Sequence, residues 1–380
     1  MAVKGSSSTH PPLPPSTEDD LLDWLRLLRS RRVGITTFWR LIADHGTARA
    51  ALAALPDVAR SAGLQGYDPC PEGVVRAELA AGTRAGARLV RHGTPDYPAA
   101  LADIPDPPPL LWLSGRADLL ARPMIALVGA RNASSLGLRM ARALAADLGQ
   151  AGFVIVSGLA RGIDTAAHAA ALPTGTIAAM AGGIDVIYPP ENAALAADIA
   201  ARGLLLTEQP VGLEPQARHF PARNRIVSGL ARAVVVVEAA AKSGSLITAR
   251  TALDQGRDVC AVPGHPFDAR AAGGNMLIRD GATLVRSAAD VIAALDQPDL
   301  RPATRPADPA PRPALPAPAP QAAAALRGLV LDRLGPSPLA EDQLIRDLAR
   351  DSRDIAPIIV DLELQGRITR APGGLLSRVN

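Results

Sequence analysis

The amino-acid sequence predicts an α/β fold with a doubly wound, mostly parallel sheet, flanked by a small N-terminal helical domain and a C-terminal winged-helix domain. Three observations lead to this fold class. Short apolar runs alternate with helical runs between residues 124 and 296, apolar residues recur at helical spacing near the N-terminus, and three short helices precede two strand-like segments at the C-terminus. At 380 residues the chain is long enough for two or three domains.

The first ninety residues divide into a tail and a helical domain. Residues 1–17 are polar and proline-rich and are expected to be disordered. Residues 18–90 form the N-terminal domain, in which apolar residues at helical spacing are interrupted at Val33-Gly34. Two helices joined by a tight glycine turn are typical of SAM-like or helix-hairpin-helix modules. Such a module either grips a DNA backbone or serves for packing, and the packing role is favoured.

Residues 91–296 are expected to form the α/β domain. Its predicted strands are 125–129, 153–158, 176–183, 204–208, 233–239, 259–264 and 282–285. The helical runs between them, such as 136–152 and 246–256, end at a glycine, where a left-handed helix cap is expected. A short apolar strand precedes them at the end of the proline-rich segment 91–115. The alternation is the pattern of a Rossmann-like sheet.

The C-terminal part contains a linker and a third domain. Residues 297–320 hold nine prolines among alanines, a composition typical of an extended linker. Residues 321–380 are expected to form a winged helix from three short helices, the strand RITRA, a Pro-Gly-Gly turn and the strand LLSRV. This segment carries eight arginines and eight acidic residues, so it has no net positive field to attract DNA. We therefore expect it chiefly to contact protein.

Charge and cysteine content narrow the function classes. The formal net charge is +3 and the pI is about 9.2, a mild basic excess that is compatible with nucleic-acid binding. Cys70 and Cys260 lie far apart, which disfavours a zinc ribbon or a disulfide framework. The sequence shows no signal-peptide core, no bilayer-spanning run and no metal-ligand spacing of its histidines. We expect a cytoplasmic protein with no membrane segment, no metal and no cofactor.

Basic residues follow the strands of the predicted sheet. In a parallel sheet, ligands bind outside the carboxyl ends of the strands, where helix N-termini present free N–H groups. Four of the first five strands are followed by a base beside small or hydroxyl residues: Arg131, Arg161, Arg223 with Arg225, and Lys242. Glycine lets backbone amides approach a phosphate, and arginine adds a forked cation. Together these loops predict a positive groove that can follow several phosphates.

The segment HFPARNR combines several groups suited to single-stranded DNA. It places an aromatic ring, two arginines and an asparagine at the start of a predicted helix: Phe220, Arg223, Asn224 and Arg225. Bases would stack on Phe220 while phosphates bind the arginines. In the alternative interpretation Phe220 packs in the core and one arginine pairs with Glu208 or Glu238. Both interpretations stay open for each residue.

Nucleotide-cofactor folds are disfavoured by the same loops. Arg131 occupies the place of the second glycine in G-x-G-x-x-G, where a side chain blocks a pyrophosphate. The second strand ends in Ser157-Gly158 instead of the acidic residue that would hold a ribose. A P-loop motif is absent from the sequence. The sequence therefore does not predict a dinucleotide or triphosphate site.

Catalytic groups are not evident in the predicted groove. Asp164 and His168 are four residues apart on one helix and could form an acid–base pair, but a helix cap and a packed histidine are favoured. Glu238 ends a strand and could act as a base, yet no nucleophile accompanies it. We expect a protein that is not an enzyme.

Six motifs occur in one order within residues 91–295: VGARNASSLG, IVSGLARGIDTAAH, AGGIDVIYPPEN, FPARNRIVSGLA, VVVVEAAAKSGSLITARTALDQGR, and AVPG followed by GGNMLIRDGA. In these motifs the chain resembles the DNA-processing protein A family (DprA, also called Smf). The resemblance implies a Rossmann-like core that binds single-stranded DNA, forms a homodimer, protects incoming strands and helps to load the RecA recombinase during natural transformation. The two flanking domains also resemble those of the family.

The loops and the resemblance together give one predicted nucleic-acid-binding set. It comprises Arg131, Ser157, Gly158, Arg161, Phe220, Arg223, Asn224, Arg225, Lys242, Ser243, Gly244 and Ser245. One departure is that the family often has a base three residues before the phenylalanine, where this chain has Ala217 followed by Arg218. The competing hypothesis is a nucleotide-processing hydrolase similar to the lysine-decarboxylase-like phosphoribohydrolases. The glycine pairs at 182–183 and 273–274 lack the Gly-Thr and glutamate of that family's loop.

Overall fold

The computed structural model describes residues 18–296, 320–334, 339–348, 350–371 and 375–379. These residues form two compact units. The core unit comprises residues 18–29 and 71–296, and the winged-helix unit comprises residues 30–70 together with the described residues from 320 onward. The predicted tail 1–17 and the predicted linker up to residue 319 lie outside the described residues. The domain boundaries derived from the sequence stay predictions.

Helices and strands alternate along most of the described chain. The α-helices are α1 (Glu18–Arg29), α2 (Ile35–His45), α3 (Ala48–Ser61), α4 (Glu72–Arg84), α5 (Ala99–Ala102), α6 (Ser135–Gln150), α7 (Ile163–Ala171), α8 (Ala193–Arg202), α9 (His219–Leu230), α10 (Ser245–Asp254), α11 (Ala272–Arg279), α12 (Ala288–Asp296), α13 (Pro320–Arg333), α14 (Glu341–Leu348) and α15 (Ser352–Leu364). The strands are β1 (Arg88–Arg91), β2 (Leu110–Gly115), β3 (Met124–Gly129), β4 (Val154–Ser157), β5 (Thr176–Ala179), β6 (Leu204–Thr207), β7 (Ala233–Glu238), β8 (Asp258–Ala261), β9 (Thr283–Leu284), β10 (Leu339–Ala340), β11 (Ile368–Ala371) and β12 (Leu375–Arg378). None of the helices in the described ranges is long and apolar enough to cross a membrane.

The core unit is built on a nine-stranded sheet with the order β1-β2-β6-β5-β4-β3-β7-β8-β9. The strands from β3 to β9 pair in parallel, and β2 pairs antiparallel with both β1 and β6. The chain winds from β3 towards β6 on one side and from β7 towards β9 on the other. This reversal places a topological switch point between β3 and β7, where the carboxyl ends of the strands leave a crevice.

Both faces of the sheet are buried. In β7, Val234 and Val236 belong to the apolar core on one face, and Val235 and Val237 belong to the core on the other. Helices cover both faces, which explains why this strand is a continuous apolar run without polar alternation. The predicted doubly wound, mostly parallel α/β sheet is confirmed.

The seven strands predicted for the α/β domain correspond to β3 through β9, and two of them were predicted several residues too long. The segment 259–264 forms a strand only as far as Ala261. The segment 176–183 forms a strand only as far as Ala179. Gly182 and Gly183 pack closely against a neighbouring loop, where an added Cβ would lie 2.8 Å from the Leu213 carbonyl oxygen and 2.6 Å from that of Pro210, respectively. β1 was missed because its sequence RLVR encloses two apolar residues between arginines.

The winged-helix unit contains the second sheet, with the order β10-β12-β11. Its core is formed by residues of α13, α14 and α15 and by Ile368 and Leu376 of the strands. The predicted three helices and two strands are present, and the predicted Pro-Gly-Gly turn lies outside the described residues. Within this unit, Val360 of α15 packs against Ala62 and Val58 at the end of α3. The winged-helix prediction is confirmed.

Candidate nucleic-acid interface

A cleft of about 930 Å³ opens at the carboxyl edge of the core sheet. Residues 128–132, which end β3 and begin the following loop, form one part of its wall. Lys242 to Ser245, which lead from β7 into α10, form another part, and Gly158 and Ala160 follow β4. The N-terminal half of α9 completes the wall. Loops that are far apart in sequence therefore meet at the switch point.

Phe220 forms an aromatic wall in this cleft. Its half-buried ring lies 5.5 Å from the ring of Tyr188, with a tilt of 58° between the two planes. The guanidinium carbon of Arg131 lies 5.0 Å from the centre of the Phe220 ring. An aromatic face with a cation beside it is the arrangement that stacks a nucleobase and binds the adjoining phosphate.

Two exposed cations of the cleft are available to a ligand. Arg131 contacts the Phe220 ring, and neither Arg131 nor Lys242 forms an ion pair with any residue that the structure describes. Lys242 precedes Ser243 and Ser245, whose hydroxyl oxygens lie 2.8 Å apart at the N-terminus of α10. Hydroxyl groups and the positive end of a helix dipole add to the attraction for a phosphate at this point.

Arg223 lines the floor of the cleft and is almost entirely buried there. Its side chain is buried, and one guanidinium nitrogen donates a hydrogen bond of 2.6 Å to the Ala179 carbonyl oxygen. Burial lowers the pKa of Arg223 to about 10, and the nearby charge of Asp164 opposes that shift. Gly158 lies directly against this guanidinium, which an added Cβ would overlap. The glycine is thus required for the close approach of the 158–160 loop to Arg223.

The structure corrects two of the predicted contacts. Ser157 is fully buried, and its hydroxyl donates a hydrogen bond of 2.7 Å to the Leu127 carbonyl oxygen of the neighbouring strand. Arg225 is also buried, where it pairs with the Glu208 carboxylate and lies 3.1 Å from that of Asp106. The alternative in which an arginine bridges to Glu208 therefore applies to Arg225. Both side chains stabilise the fold and do not face the cleft.

The remaining predicted residues fall into two groups. The cleft is lined by Arg131, Gly158, Phe220, Arg223, Asn224, Lys242, Ser243, Gly244 and Ser245. Arg161 is exposed on the rim, forms an ion pair with Glu191, and lines a small niche of about 40 Å³ that shares Phe220 with the cleft. Its charge is therefore partly compensated in the free protein.

The cleft lining includes polar and aromatic residues that sequence reasoning missed, among them Asn132, Tyr188 and Arg270. Tyr188 lies in the IYPPEN motif, and a tyrosine in a chain with only 3% aromatic residues was a usable signal. Arg270 lies in the loop after β8, whereas the predicted groove was built from the loops that follow β3 to β7. Its guanidinium lies 3.3 Å from the Asp268 carboxylate.

The position that holds a pyrophosphate in dinucleotide-binding sheets is occupied by Glu238. Its carboxylate accepts hydrogen bonds from the backbone N–H of Ser134, at 2.9 Å, and from the Ser134 hydroxyl, at the N-terminus of α6. An added Cβ on Gly137 would overlap this carboxylate. The helix N-terminus is thus neutralised by the protein's own anion, which gives a physical reason against a nucleotide phosphate there.

Asp164 and His168 serve the structure of the loop after β4. The Asp164 carboxylate accepts hydrogen bonds from the backbone N–H groups of Gly158, at 3.1 Å, and Ala160, at 3.3 Å. His168 is fully buried, with its Nδ1 2.7 Å from the Thr176 hydroxyl. Within the described part of the chain, no group of three or more His, Cys, Asp or Glu residues could hold a metal ion.

The burial of His168 predicts a pH-dependent stability. Burial, reinforced by the positive charge of Arg223, lowers the pKa of His168 to about 3. The unfolded chain takes up a proton below about pH 6.5, whereas the folded chain does not, so the free energy of unfolding falls as the pH drops from 6.5 towards 3. Urea unfolding measures this effect. Between pH 7 and pH 5, the free energy of unfolding is expected to fall by about 2 kcal/mol more for the wild type than for His168→Gln. Equal losses in the two proteins would contradict this role.

The sequence matches three family profiles. The profile described as DNA recombination-mediator protein A matches residues 88–296, that of the DprA-like N-terminal HHH domain matches 18–81, and that of the DprA winged helix domain matches 306–374. Protein Smf from Synechocystis sp. is 37% identical over 306 residues, which cover 73% of this chain and 77% of that protein.

Two solved structures are similar to the chain. DNA processing protein A from Streptococcus pneumoniae aligns with a TM-score of 0.60 and 37% identity, over 71% of this chain and 95% of that one. DNA processing protein A from Helicobacter pylori, described for its single-stranded DNA binding mode, aligns with a TM-score of 0.51 and 32% identity, over 55% of this chain and 95% of that one. With the family profile matched over more than half of the sequence, the chain belongs to the DNA recombination-mediator protein A (DprA) family.

Proposed function

We propose that this protein binds single-stranded DNA in the cleft and acts as a recombination mediator, which protects incoming strands and helps to load RecA during natural transformation or DNA uptake. The observation that carries the proposal is the joint placement of Phe220, Arg131 and Lys242 in one open cleft. The single-stranded DNA binding described for the Helicobacter pylori relative supports it.

The geometry favours binding through phosphates and stacking. Arg131 and Lys242 are located on loops that follow different strands, so one polynucleotide can contact both cations while a base contacts Phe220. Stacking tolerates every base, because each has a π-face, and phosphates are the same in every sequence. The proposal therefore includes weak dependence on base sequence and strong dependence on salt.

The proposal extends to partners, location and chemistry. We propose a homodimer that acts in the cytoplasm, where RecA and incoming single strands meet. We also propose that it works without catalysis, because the acid–base candidates identified in the sequence are engaged in structural hydrogen bonds: Asp164, His168 and Glu238.

Titration of labelled oligo-dT by fluorescence anisotropy over a salt series tests this function. The expected result is tight binding whose log affinity falls linearly with log salt, with a slope of about −0.7 per phosphate neutralised. Replacing oligo-dT with mixed-sequence DNA is expected to change the affinity little. Nucleotide turnover without oligonucleotide binding would favour the phosphoribohydrolase hypothesis instead.

The winged-helix domain is proposed to contact protein chiefly. Among the described residues of this domain, Arg370 pairs with Glu341 at 2.5 Å and with Glu363 at 3.4 Å, and Arg327 pairs with Asp361 at 2.6 Å. Val360 of α15 already packs against α3 residues. In winged helices the corresponding helix enters the major groove of duplex DNA.

A duplex-binding measurement tests this role of the tail. A chain truncated before residue 321 is expected to bind duplex DNA as the full chain does, because the tail has no net positive charge. A drop of tenfold or more in duplex affinity at physiological salt on truncation would show that the tail is a DNA-binding domain.

A further inference from the structure

A second groove lies on the far side of the loop that follows β8. It has a volume of about 540 Å³ and is lined by the first turns of α6, including Leu136 and Arg139, and by the loop residues His265 and Asp268. Arg270 of the same loop lines the DNA cleft. The loop of residues 263–271 is therefore a wall shared by the cleft and by this groove.

The shared loop presents an exposed aromatic ring. The Phe267 side chain is 94% exposed, although aromatic residues make up only 3% of the chain. Its backbone N–H donates a hydrogen bond of 3.3 Å to Nδ1 of His265, and the two rings lie 5.6 Å apart. A large aromatic side chain on the surface, with a second ring beside it, provides a stacking platform.

The loop is ordered at its base. The Asn275 side chain donates a hydrogen bond of 2.9 Å to the Gly264 carbonyl oxygen and accepts one of 3.1 Å from the Gly264 backbone N–H. Two further backbone hydrogen bonds of 2.9 Å join Asp268 to His265 and Ala271 to Asp268. These hydrogen bonds fix the backbone that carries Phe267, so ordering that backbone on binding costs little.

Arg139 provides the groove with an exposed cation. Arg139 is exposed and has no ion-pair or hydrogen-bond partner among the residues that the structure describes. Of the carboxylates that line the groove, that of Glu238 is engaged by Ser134, and that of Asp268 lies 3.3 Å from the Arg270 guanidinium. Arg286 pairs with Asp290 at 3.2 Å. Arg139 can therefore bind a phosphate, while the Glu238 carboxylate is held against the N-terminus of α6.

We propose that this groove is a second subsite for single-stranded DNA. A strand that leaves the cleft crosses the loop, stacks a base on Phe267 and places a phosphate on Arg139. The inference rests on the proposed function and lengthens its binding site. The position of the groove beside the cleft and the unpaired Arg139 favour a nucleic acid over an apolar protein partner, which would leave that cation without a partner.

Oligonucleotides of two lengths separate the two subsites. A dT oligomer of about six nucleotides, within the ~4–16-nucleotide site sizes of single-strand-binding domains, is expected to fill the cleft alone, whereas one of about twenty is expected to reach the groove. We expect Phe267→Ala to weaken binding of the long oligomer roughly 5- to 100-fold and to leave the short one unchanged. Arg139→Ala is expected to act in the same way and to reduce the salt slope for the long oligomer alone.

A charge-matched control is Arg250→Ala, which removes an exposed arginine of α10 that lines neither the cleft nor the groove. It is expected to leave both affinities within twofold of the wild type. If Phe267→Ala bound the long oligomer as tightly as the wild type, the second subsite would be contradicted, and Phe267 would instead be a candidate contact for a protein partner. Equal weakening of both lengths would also overturn it, because Phe267 would then act on the cleft. Failure of the wild type to bind the short oligomer would contradict the proposed function itself.

Discussion

Arg225→Ala is expected to lower the free energy of unfolding by about 3–5 kcal/mol, the range measured when one partner of a buried ion pair is removed. The Arg225 side chain is 8% exposed and that of its partner Glu208 is 9% exposed. Without Arg225 the Glu208 carboxylate remains buried, where desolvation already raises its pKa. The uncompensated charge is the source of the loss.

Urea unfolding at neutral pH measures this effect. The control is Arg202→Ala, which removes an exposed arginine paired with Asp198, more than half of whose side chain is also exposed. Such surface pairs contribute at most about 1 kcal/mol. If Arg225→Ala unfolded like the wild type and yet lost oligonucleotide binding, Arg225 would be a direct DNA contact and not a residue that stabilises the fold.

The double variant Arg131→Ala/Lys242→Ala is expected to lose roughly 100- to 10,000-fold in affinity for oligo-dT, because each charged hydrogen bond to a phosphate contributes about 1.5–3 kcal/mol. Both side chains are exposed, so the stability of the fold is expected to stay near that of the wild type. The slope of log affinity against log salt should become shallower by about 1.4 for two phosphates. Anisotropy over a salt series measures both quantities.

The charge-matched control for the double variant is Arg250→Ala/Arg202→Ala, which removes two exposed arginines outside the cleft. It is expected to retain the affinity of the wild type within a few fold. If the control lost as much affinity as the double variant, binding would follow the overall charge of the protein, and the cleft would have no special role.

The sheet could be predicted from the sequence because its signals are local. Strands buried on both faces appear as apolar runs such as that of β7, and the glycines that cap helices end those helices within the sequence itself. Gly152 and Gly256 do adopt left-handed conformations, with φ of 98° and 69°. The carboxyl ends of the parallel strands then fix where the loops converge, and with them the cleft.

The direction of individual side chains could not be predicted in this way. Arg223 and Arg225 both lie in the first two turns of α9, and only their partners reveal that both are buried. Asp106, one of those partners, is far earlier in the chain and belongs to the segment before β2. Glu238 likewise reaches the N-terminus of α6 only because β7 is placed beside β3. These contacts depend on the tertiary arrangement and have no local sequence signal.

The most direct test of the cleft as the binding site is photocrosslinking of a 4-thiothymidine-containing oligo-dT to the full-length protein, followed by peptide mapping. Crosslinks are expected in peptides that contain Arg131, Phe220 and Lys242, and fewer crosslinks are expected at high salt. Crosslinks confined to residues 18–84 or to residues 321–380, with none in peptides of the cleft, would contradict the cleft as the binding site.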